Sequence, residues 1–243
     1  MPAEQDWHRQ WRGQGVVVRS VHEALEAPGL IGSAEGGGMR VLDLFSGLGG
    51  FSQAFLERGH EVIRVDIEHT FHPTICSDVK HLPLKPFPRF DVILAAPPCE
   101  EFSRDFMPWL TGDVDKGMEL VYVTREVIDA FQPQFWVVEN VKGAIKYFQG
   151  VFGQYRQRCG SRFLWGIFPW FPCRDELCYG KVKLPPSPLR KALRSKIPYE
   201  VSYRLCLRIE TAMQNESVME YFYREDQLEF NWQGEIGEEH GTH

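Results

Sequence analysis

The sequence lacks any long uninterrupted run of apolar residues, and no stretch reaches the ~18 residues that a membrane-spanning helix needs. Its first fifteen residues are polar and carry both signs of charge, so they do not resemble a signal peptide. The six cysteines of this 243-residue chain form no closely spaced framework, which favours reduced thiols over a disulfide scaffold. We therefore expect a cytoplasmic protein that does not enter a membrane.

An overall excess of positive charge is also missing, since 27 Lys and Arg face 33 Asp and Glu. The charge is unevenly distributed, however, because residues 154–208 contain 12 basic and 3 acidic side chains. A segment of this kind fits a surface that faces nucleic-acid phosphates. A solvated basic face that pairs with the acidic C-terminal tail is the alternative interpretation.

The composition predicts one globular domain with an extension at each end, since 43% of the residues are hydrophobic and 25% are charged. Residues 1–38 end in a stretch rich in Gly and Ser, which is typical of a linker. Residues 39–210 carry the regular apolar patterns of a folded core. Residues 211–243 are acidic and aperiodic, and we expect a frayed tail there.

The folded core begins with a strand, a glycine turn and a helix, which is how a doubly wound α/β sheet that cradles a nucleotide begins. Asp66 ends the second predicted strand, about 20 residues after the first turn, where an acid accepts hydrogen bonds from ribose hydroxyls. Asp78 follows a further strand and suits an adenine amino group. The glycine turn consists of Ser46, Gly47, Leu48, Gly49 and Gly50.

A cysteine follows the apolar run 92–96 directly after two prolines, Pro97 and Pro98. Because proline fixes its own φ and restricts the residue before it, Cys99 is held rigidly at a strand end. Such a position suits a nucleophile, whose thiolate must meet one substrate atom at a fixed angle. A small buried side chain is the alternative for an isolated cysteine. Glu139 follows the strand predicted over residues 134–138 and supplies an acid at a second strand end.

The basic part of the chain opens with Gln154, Arg156 and Arg158, whose side chains share one face if this segment is extended. The aromatic-rich stretch 163–172 is expected to lie mainly in the core, with base stacking as the alternative. Helical spacing of apolar residues predicts a final helix over residues 196–210.

Four motifs occur in an order that resembles the DNA (cytosine-5) methyltransferases. The resemblance implies an α/β, Rossmann-like S-adenosylmethionine-dependent methyltransferase domain over residues 39–210, with a mostly parallel, doubly wound sheet. A compact member of this family is expected in a phage, archaeal or bacterial setting. The motifs are Asp43–Gly50, Pro97–Cys99 with Phe102–Ser103, Glu139–Val141, and Gln154-x-Arg156-x-Arg158.

The same resemblance implies a binding site for S-adenosylmethionine and no metal. Phe45 would pack on the adenine ring, Asp66 would hold the ribose, and Asp78 would meet the adenine amino group. The implied cofactor residues are Phe45, Ser46, Gly47, Leu48, Gly49, Gly50, Asp66, Ile67, Asp78, Val79, Pro97 and Leu120.

The implied reaction is methylation of cytosine C5 in DNA, on a base that has left the double helix. The Cys99 thiolate adds to C6 and makes C5 nucleophilic, while Glu139 stabilises the ring at N3. Arg158 would fix the cytosine O2, and Arg156 would support the loop or a phosphate. An enzyme that methylates an exocyclic amine places Asp, Asn or Ser before the two prolines, whereas this chain has Ala96.

The chain departs from the family pattern in the interval where a target-recognition domain is usual. Only residues 159–193, a short basic-aromatic insert, separate the arginine motif from the last helix. Recognition would then come from this insert, from a second subunit or from self-association. The same chemistry on RNA or on a free nucleotide stays open. A non-catalytic cofactor-binding accessory subunit is the third alternative, although such a protein is expected to lack the nucleophile or the acid.

Overall fold

A computed structural model describes residues 37–83, 89–103, 113–173 and 189–215. The predicted N-terminal extension up to residue 36 and the acidic tail from residue 216 lie outside the described residues. The middle of the basic-aromatic insert, residues 174–188, also lies outside them, as do residues 104–112. Within the described ranges, no helix combines the length and the apolar character needed to cross a membrane.

Seven strands form one sheet in the order β3-β2-β1-β4-β5-β7-β6. The first five strands of the chain pair in parallel, whereas β7 is antiparallel to both β5 and β6. The predicted α/β, Rossmann-like, mostly parallel sheet is therefore confirmed. The strands are β1 (Arg40–Leu44), β2 (Glu61–Asp66), β3 (Ile75–Cys76), β4 (Val92–Ala95), β5 (Phe135–Val141), β6 (Gln157–Cys159) and β7 (Arg162–Ile167).

Helices cover both faces of this sheet. One face packs against the second and third helices, and the other packs against the first and the last. Short 3₁₀ turns occupy residues 69–71, 79–81, 100–102 and 142–144. The helices are α1 (Gln53–Glu57), α2 (Val114–Phe131), α3 (Ile145–Phe152), α4 (Arg190–Ser195) and α5 (Tyr199–Met213).

The central strands are buried on both faces, as continuous apolar runs predict. All four residues of β4 are fully buried, with Ile93 facing α2 and α3 while Val92 and Leu94 face α1 and α5. The aromatic stretch also belongs mainly to the core, because Trp165, Phe168 and Phe171 are fully buried, although Trp170 is exposed.

Several element bounds differ from those that the sequence predicts. Strand β5 continues through Glu139 to Val141 because antiparallel pairing with β7 extends it, whereas the apolar pattern ends it at residue 138. Helix α2 begins at Val114 rather than at Gly117, since the Asp113 side chain accepts hydrogen bonds from the first-turn amides. Helix α5 begins at Tyr199, directly after Pro198, and not at residue 196.

The last helix is docked on α1 by a buried hydroxyl group and by an ion pair at the surface. The fully buried Ser202 hydroxyl donates to the Phe51 carbonyl at 2.7 Å and accepts from the Ala54 amide at 3.0 Å. Glu210 accepts from the Arg58 guanidinium at 2.8 and 2.7 Å. Helix α5 therefore packs beside the helix that follows the glycine turn.

We expect Ser202→Ala to lower the free energy of unfolding by about 1–3 kcal/mol, because it leaves a buried amide and a buried carbonyl unpaired. Urea denaturation followed by circular dichroism measures this change. Thr211→Ala, at an exposed position of the same helix, is the control and should change stability by less than about 0.5 kcal/mol. Equal effects of the two substitutions would contradict the assigned role of Ser202.

Candidate active site

The glycine turn after β1 has a strained backbone that one carboxylate holds in place. Phe45 adopts a φ of 55°, in the left-handed region that a bulky side chain rarely enters. The buried Asp66 accepts from the Gly47 amide at 2.7 Å through Oδ2 and from the Glu68 amide at 2.9 Å through Oδ1. Asp66 lies where the sequence predicts a ribose ligand, and both of its oxygens already bind backbone amides.

Polar atoms at this turn suit a bound polar ligand. Asp43 Oδ1 and Ser46 Oγ are buried without a hydrogen-bond partner among the described residues. Such groups are normally satisfied in a native protein, by a ligand or by water where not by the chain. The side chain of Ile67, directly after Asp66, is 70% exposed and offers an apolar surface at the same edge of the sheet. The residues present therefore fit a nucleoside-type cofactor.

Gly50 allows the segment between α4 and α5 to pack on the glycine turn. A Cβ at this position would lie 2.6 Å from the Ile197 carbonyl oxygen, so no other residue fits without a backbone shift. The Lys196 ammonium donates to the Gln53 side chain at 3.0 Å. The segment between α4 and α5 thus contacts the glycine turn through the Ile197 backbone and through the Lys196 side chain, which binds Gln53 of α1.

The other predicted cofactor residues lie on two neighbouring elements. Asp78 caps the 3₁₀ turn 79–81 by accepting from the Lys80 amide at 2.9 Å through Oδ1. Val79 is buried in the core, and helix α2, which carries the half-buried Leu120, packs against the same turn. Asp78, Val79 and Leu120 are therefore brought to one region beside β3.

The turn that carries Cys99 is fixed at both ends. The buried Asn140 side chain donates to the Pro97 carbonyl at 3.0 Å, which ties the two prolines to β5. The buried Ser103 hydroxyl donates to the Cys99 carbonyl at 2.8 Å. Cys99 itself is half-buried. The backbone that carries the thiol is thus held by two hydrogen bonds just after the end of β4.

The Glu139 carboxylate affects the protonation of the Cys99 thiol. Burial raises the pKa of the Cys99 thiol to about 11, and the Glu139 carboxylate is the charge that raises it most. Burial likewise raises the pKa of Glu139, against the opposing effect of the Arg162 guanidinium. Glu139 follows Val138, which pairs with Ala95 at the end of β4, and it directly precedes Asn140, which holds the Cys99 turn at Pro97. The predicted nucleophile and the predicted acid therefore lie at neighbouring strand ends, in a region where Glu139 is buried.

Arg162 is the functional candidate that sequence reasoning missed. Its Nη1 lies 3.0 Å from Glu139 Oε1, and its Nη2 donates to the Lys196 carbonyl at 2.9 Å. The ladder pairs Arg162 with Val141, so both lie on the Glu139 face of the sheet. No local motif marks this arginine, because only the antiparallel pairing of β7 with β5 brings it to the acid.

Arg158 and Arg156 are not brought to Glu139. Arg158 pairs with Phe163, which places its side chain on the opposite face of the sheet. Its Nε donates to the Gly160 carbonyl at 2.7 Å, and its guanidinium lies 5.8 Å from the centre of the Phe163 ring. The Arg156 guanidinium lies 5.9 Å from the Phe168 ring centre.

Comparison with known proteins points to one family. Residues 39–154 match the family model of the C-5 cytosine-specific DNA methylases. This part of the chain, just under half of it, is similar to the DNA (cytosine-5) methyltransferases. Methyltransferases of that family use S-adenosylmethionine as the methyl donor, and the glycine turn of this chain, whose buried oxygens have no partner among the described residues, fits that cofactor.

Three curated relatives illustrate the range of this family. The Type II methyltransferase M.FnuDI of Fusobacterium nucleatum is 31% identical over 44% of this chain and 33% of its own length. The orphan methyltransferase M.SPRI of Bacillus phage SPR is 30% identical over 47% of this chain and 29% of its own length. The rat tRNA (cytosine(38)-C(5))-methyltransferase is 28% identical over 51% of this chain and 36% of its own length. The matches thus span about a third of each relative's length.

The buried Asp43 makes stability depend on pH in a way that a single substitution tests. Burial raises its pKa from 3.8 to about 7, against hydrogen bonds from Ser52 and the positive charge of Arg64. Between these two values the folded protein binds more protons than the unfolded chain, so this group's contribution to stability is lost as pH rises through that window.

Asp43→Asn keeps an acceptor for the Ser52 hydroxyl but carries no charge. We expect the variant to match the wild type in free energy of unfolding near pH 4 and to exceed it near pH 8, as measured by urea denaturation. A constant difference between the two proteins across this range would contradict the raised pKa.

Proposed function

We propose that this protein transfers a methyl group from S-adenosylmethionine to C5 of cytosine in DNA, through a temporary bond between Cys99 Sγ and cytosine C6. The observation that carries the proposal is that Cys99 and Glu139 follow the last paired residues of β4 and β5, which the Asn140 side chain ties together at Pro97, with Arg162 holding Glu139 at 3.0 Å. A thiol nucleophile beside an acid of raised pKa suits attack on a ring whose nitrogen must be protonated or hydrogen-bonded.

The chemistry divides among three side chains. Cys99 gives its thiol proton to solvent and its sulfur forms the bond to C6, which moves the C5–C6 π electrons to C5, while a protonated Glu139 donates a hydrogen bond to N3. Arg162 binds Glu139 Oε1 and fixes the plane of the carboxyl, and we assign the hydrogen bond to N3 to Oε2. When bound, S-adenosylmethionine would supply an electrophilic methyl group and would leave as S-adenosylhomocysteine. After methylation of C5, the C5 proton passes to solvent, its electron pair restores the C5–C6 double bond, and the bond from Sγ to C6 breaks, which returns the Cys99 thiolate.

We assign the cofactor residues the roles that the family resemblance implies, and we add for Asp66 a role in shaping the glycine turn. We assign the adenine ring to Phe45 and Ile67, and its amino group to Asp78 Oδ2, which accepts no hydrogen bond within the described part of the chain. Pro97 and Leu120 complete the apolar contacts. Asp66 remains the proposed ribose ligand, and it additionally shapes the turn through the Gly47 amide.

DNA is the favoured substrate because the matching family model describes DNA methylases and two of the three relatives are bacterial or phage methyltransferases. The same reaction on RNA is the second candidate. It is favoured by one observation, the similarity to a relative that is named as a tRNA methyltransferase.

Duplex DNA that contains 5-fluorocytosine tests the covalent step, because fluorine at C5 blocks the final elimination. With S-adenosylmethionine present, the wild type should form an adduct that survives denaturing electrophoresis, and Cys99→Ala should form none. Cys159→Ala is the matched control, since Cys159 is a buried cysteine outside the proposed site, and it should form the adduct. Equal adduct formation by wild type and Cys99→Ala would refute the nucleophile assignment.

The same preparation identifies the substrate. Transfer of a tritiated methyl group is measured on duplex DNA, RNA and dCMP side by side, and the modified base is identified by mass spectrometry. Label in 5-methylcytosine from DNA is the expected result. Label in RNA alone would replace DNA by RNA as the substrate.

Substitutions of Arg162 and Arg158 test whether the ion pair of Arg162 with Glu139 contributes to catalysis. Arg162→Gln should lower kcat by at least about 100-fold, because it leaves a buried carboxyl without its cation and without fixed orientation. The loss should fall on kcat more than on KM, and the pKa seen in the pH profile of kcat should rise. Arg158→Gln removes the same charge on the opposite face, and we expect less than about a tenfold change in kcat. Equal losses of kcat in the two variants would contradict the assignment to Arg162.

A further inference from the structure

The described chain contains a basic helix that the proposed reaction does not use. Residues 189–198, which include α4, contain four Lys and Arg and no Asp or Glu. Arg190, Lys191 and Arg194 are exposed, and the Lys191 side chain is 77% exposed. This concentration of positive charge stands out in a chain whose net charge is −6.

Two contacts place α4 beside the proposed catalytic residues. The Lys191 ammonium lies 2.5 Å from Glu100 Oε1, and Glu100 is the residue directly after Cys99. At the other end of the helix, Arg162 donates to the carbonyls of Ser195 at 3.3 Å and Lys196 at 2.9 Å. Arg162 also binds Glu139. One side chain, Lys191, therefore connects α4 to the Cys99 turn, and another, Arg162, connects the end of α4 to the acid.

The charges around Cys99 determine from which side a polyanion can approach. Glu100 and Glu101 follow the nucleophile and repel phosphate groups. Lys191 offsets Glu100, and the remaining cations of α4 present the opposite charge to solvent. A cytosine that reaches Cys99 carries its own backbone phosphates with it, so these groups must be accommodated close to the thiol.

We propose that α4 binds the phosphodiester backbone of duplex DNA next to the target nucleotide, through Arg190, Lys191 and Arg194. This inference rests on the proposed function and adds a substrate-binding surface to it. Contacts to phosphate position the duplex without reading its sequence, and they release counterions on binding. Binding through α4 therefore gives an affinity that depends steeply on salt.

The test measures the salt dependence of DNA binding for the full chain. Fluorescence anisotropy with a labelled duplex of mixed sequence is recorded between about 50 and 200 mM KCl. The slope measured is that of the logarithm of the association constant against the logarithm of the salt concentration. Its magnitude should fall by about two to three in the triple variant Arg190→Gln/Lys191→Gln/Arg194→Gln. Each phosphate that the protein no longer neutralises accounts for about 0.9 of this change. The control Arg89→Gln/Arg125→Gln/Arg208→Gln removes the same charge from other elements and should keep the wild-type slope.

Further measurements separate folding from binding. S-adenosylmethionine binding by calorimetry should persist in both triple variants, which shows that the domain is folded. Arg190→Gln and Arg194→Gln alone should each lower the slope by about one. A wild-type slope in the α4 triple variant would overturn the proposal, and so would a loss of slope seen only with RNA of the same sequence.

The outcome is independent of the methyl-transfer assay. A chain that transfers no methyl group to cytosine but loses its salt slope in the α4 variant would refute the proposed function and support the binding surface. If the protein methylates DNA and the α4 triple variant keeps the wild-type salt slope, the proposed function is supported and the binding surface is refuted.

Discussion

The ion pair between Glu139 and Arg162 is the interaction on which the site depends. Both side chains are largely buried, with 8% and 15% of their surfaces exposed, so each has lost most of its hydration. The arginine tolerates this position because its second nitrogen binds the Ser195 and Lys196 carbonyls. One guanidinium therefore joins β5, β7 and the end of α4, and its removal would leave an uncompensated buried carboxyl.

The other parts of the site connect to this pair through backbone contacts. The segment whose carbonyls Arg162 holds also covers Gly50, and Asn140, next to Glu139, holds the Pro97 carbonyl. The cofactor turn, the cysteine turn and the acid thus share supports at the carboxyl ends of parallel strands, where α/β sheets bind ligands. A displacement of the Lys196–Ile197 segment would therefore disturb the glycine turn at Gly50 and the acid through Arg162. The Cys99 turn would also be affected, through Asn140 beside Glu139.

The sequence predicts the parts of this site that depend on local pattern. Buried strands, the glycine turn and the rigid Pro97–Cys99 display follow from apolar runs and from the backbone limits of Gly and Pro. Arg162 does not follow, because its place depends on pairing between β5 and β7. The arginine spacing makes Arg158 a candidate, yet strand alternation turns it toward Phe163. A shift of one residue reverses the face, and only long-range pairing fixes the register.

In the proposed reaction, the charge of Glu139 would make the reactivity of the Cys99 thiol depend on bound substrate. With a pKa of about 11, the Cys99 thiol is protonated near neutral pH in the free protein. Since the thiolate is the form that reacts and is oxidised, an unoccupied site is protected. Glu139 contributes to this state through its negative charge. In the proposed reaction Glu139 donates a hydrogen bond to the bound base and is then uncharged, so its charge would no longer oppose formation of the Cys99 thiolate.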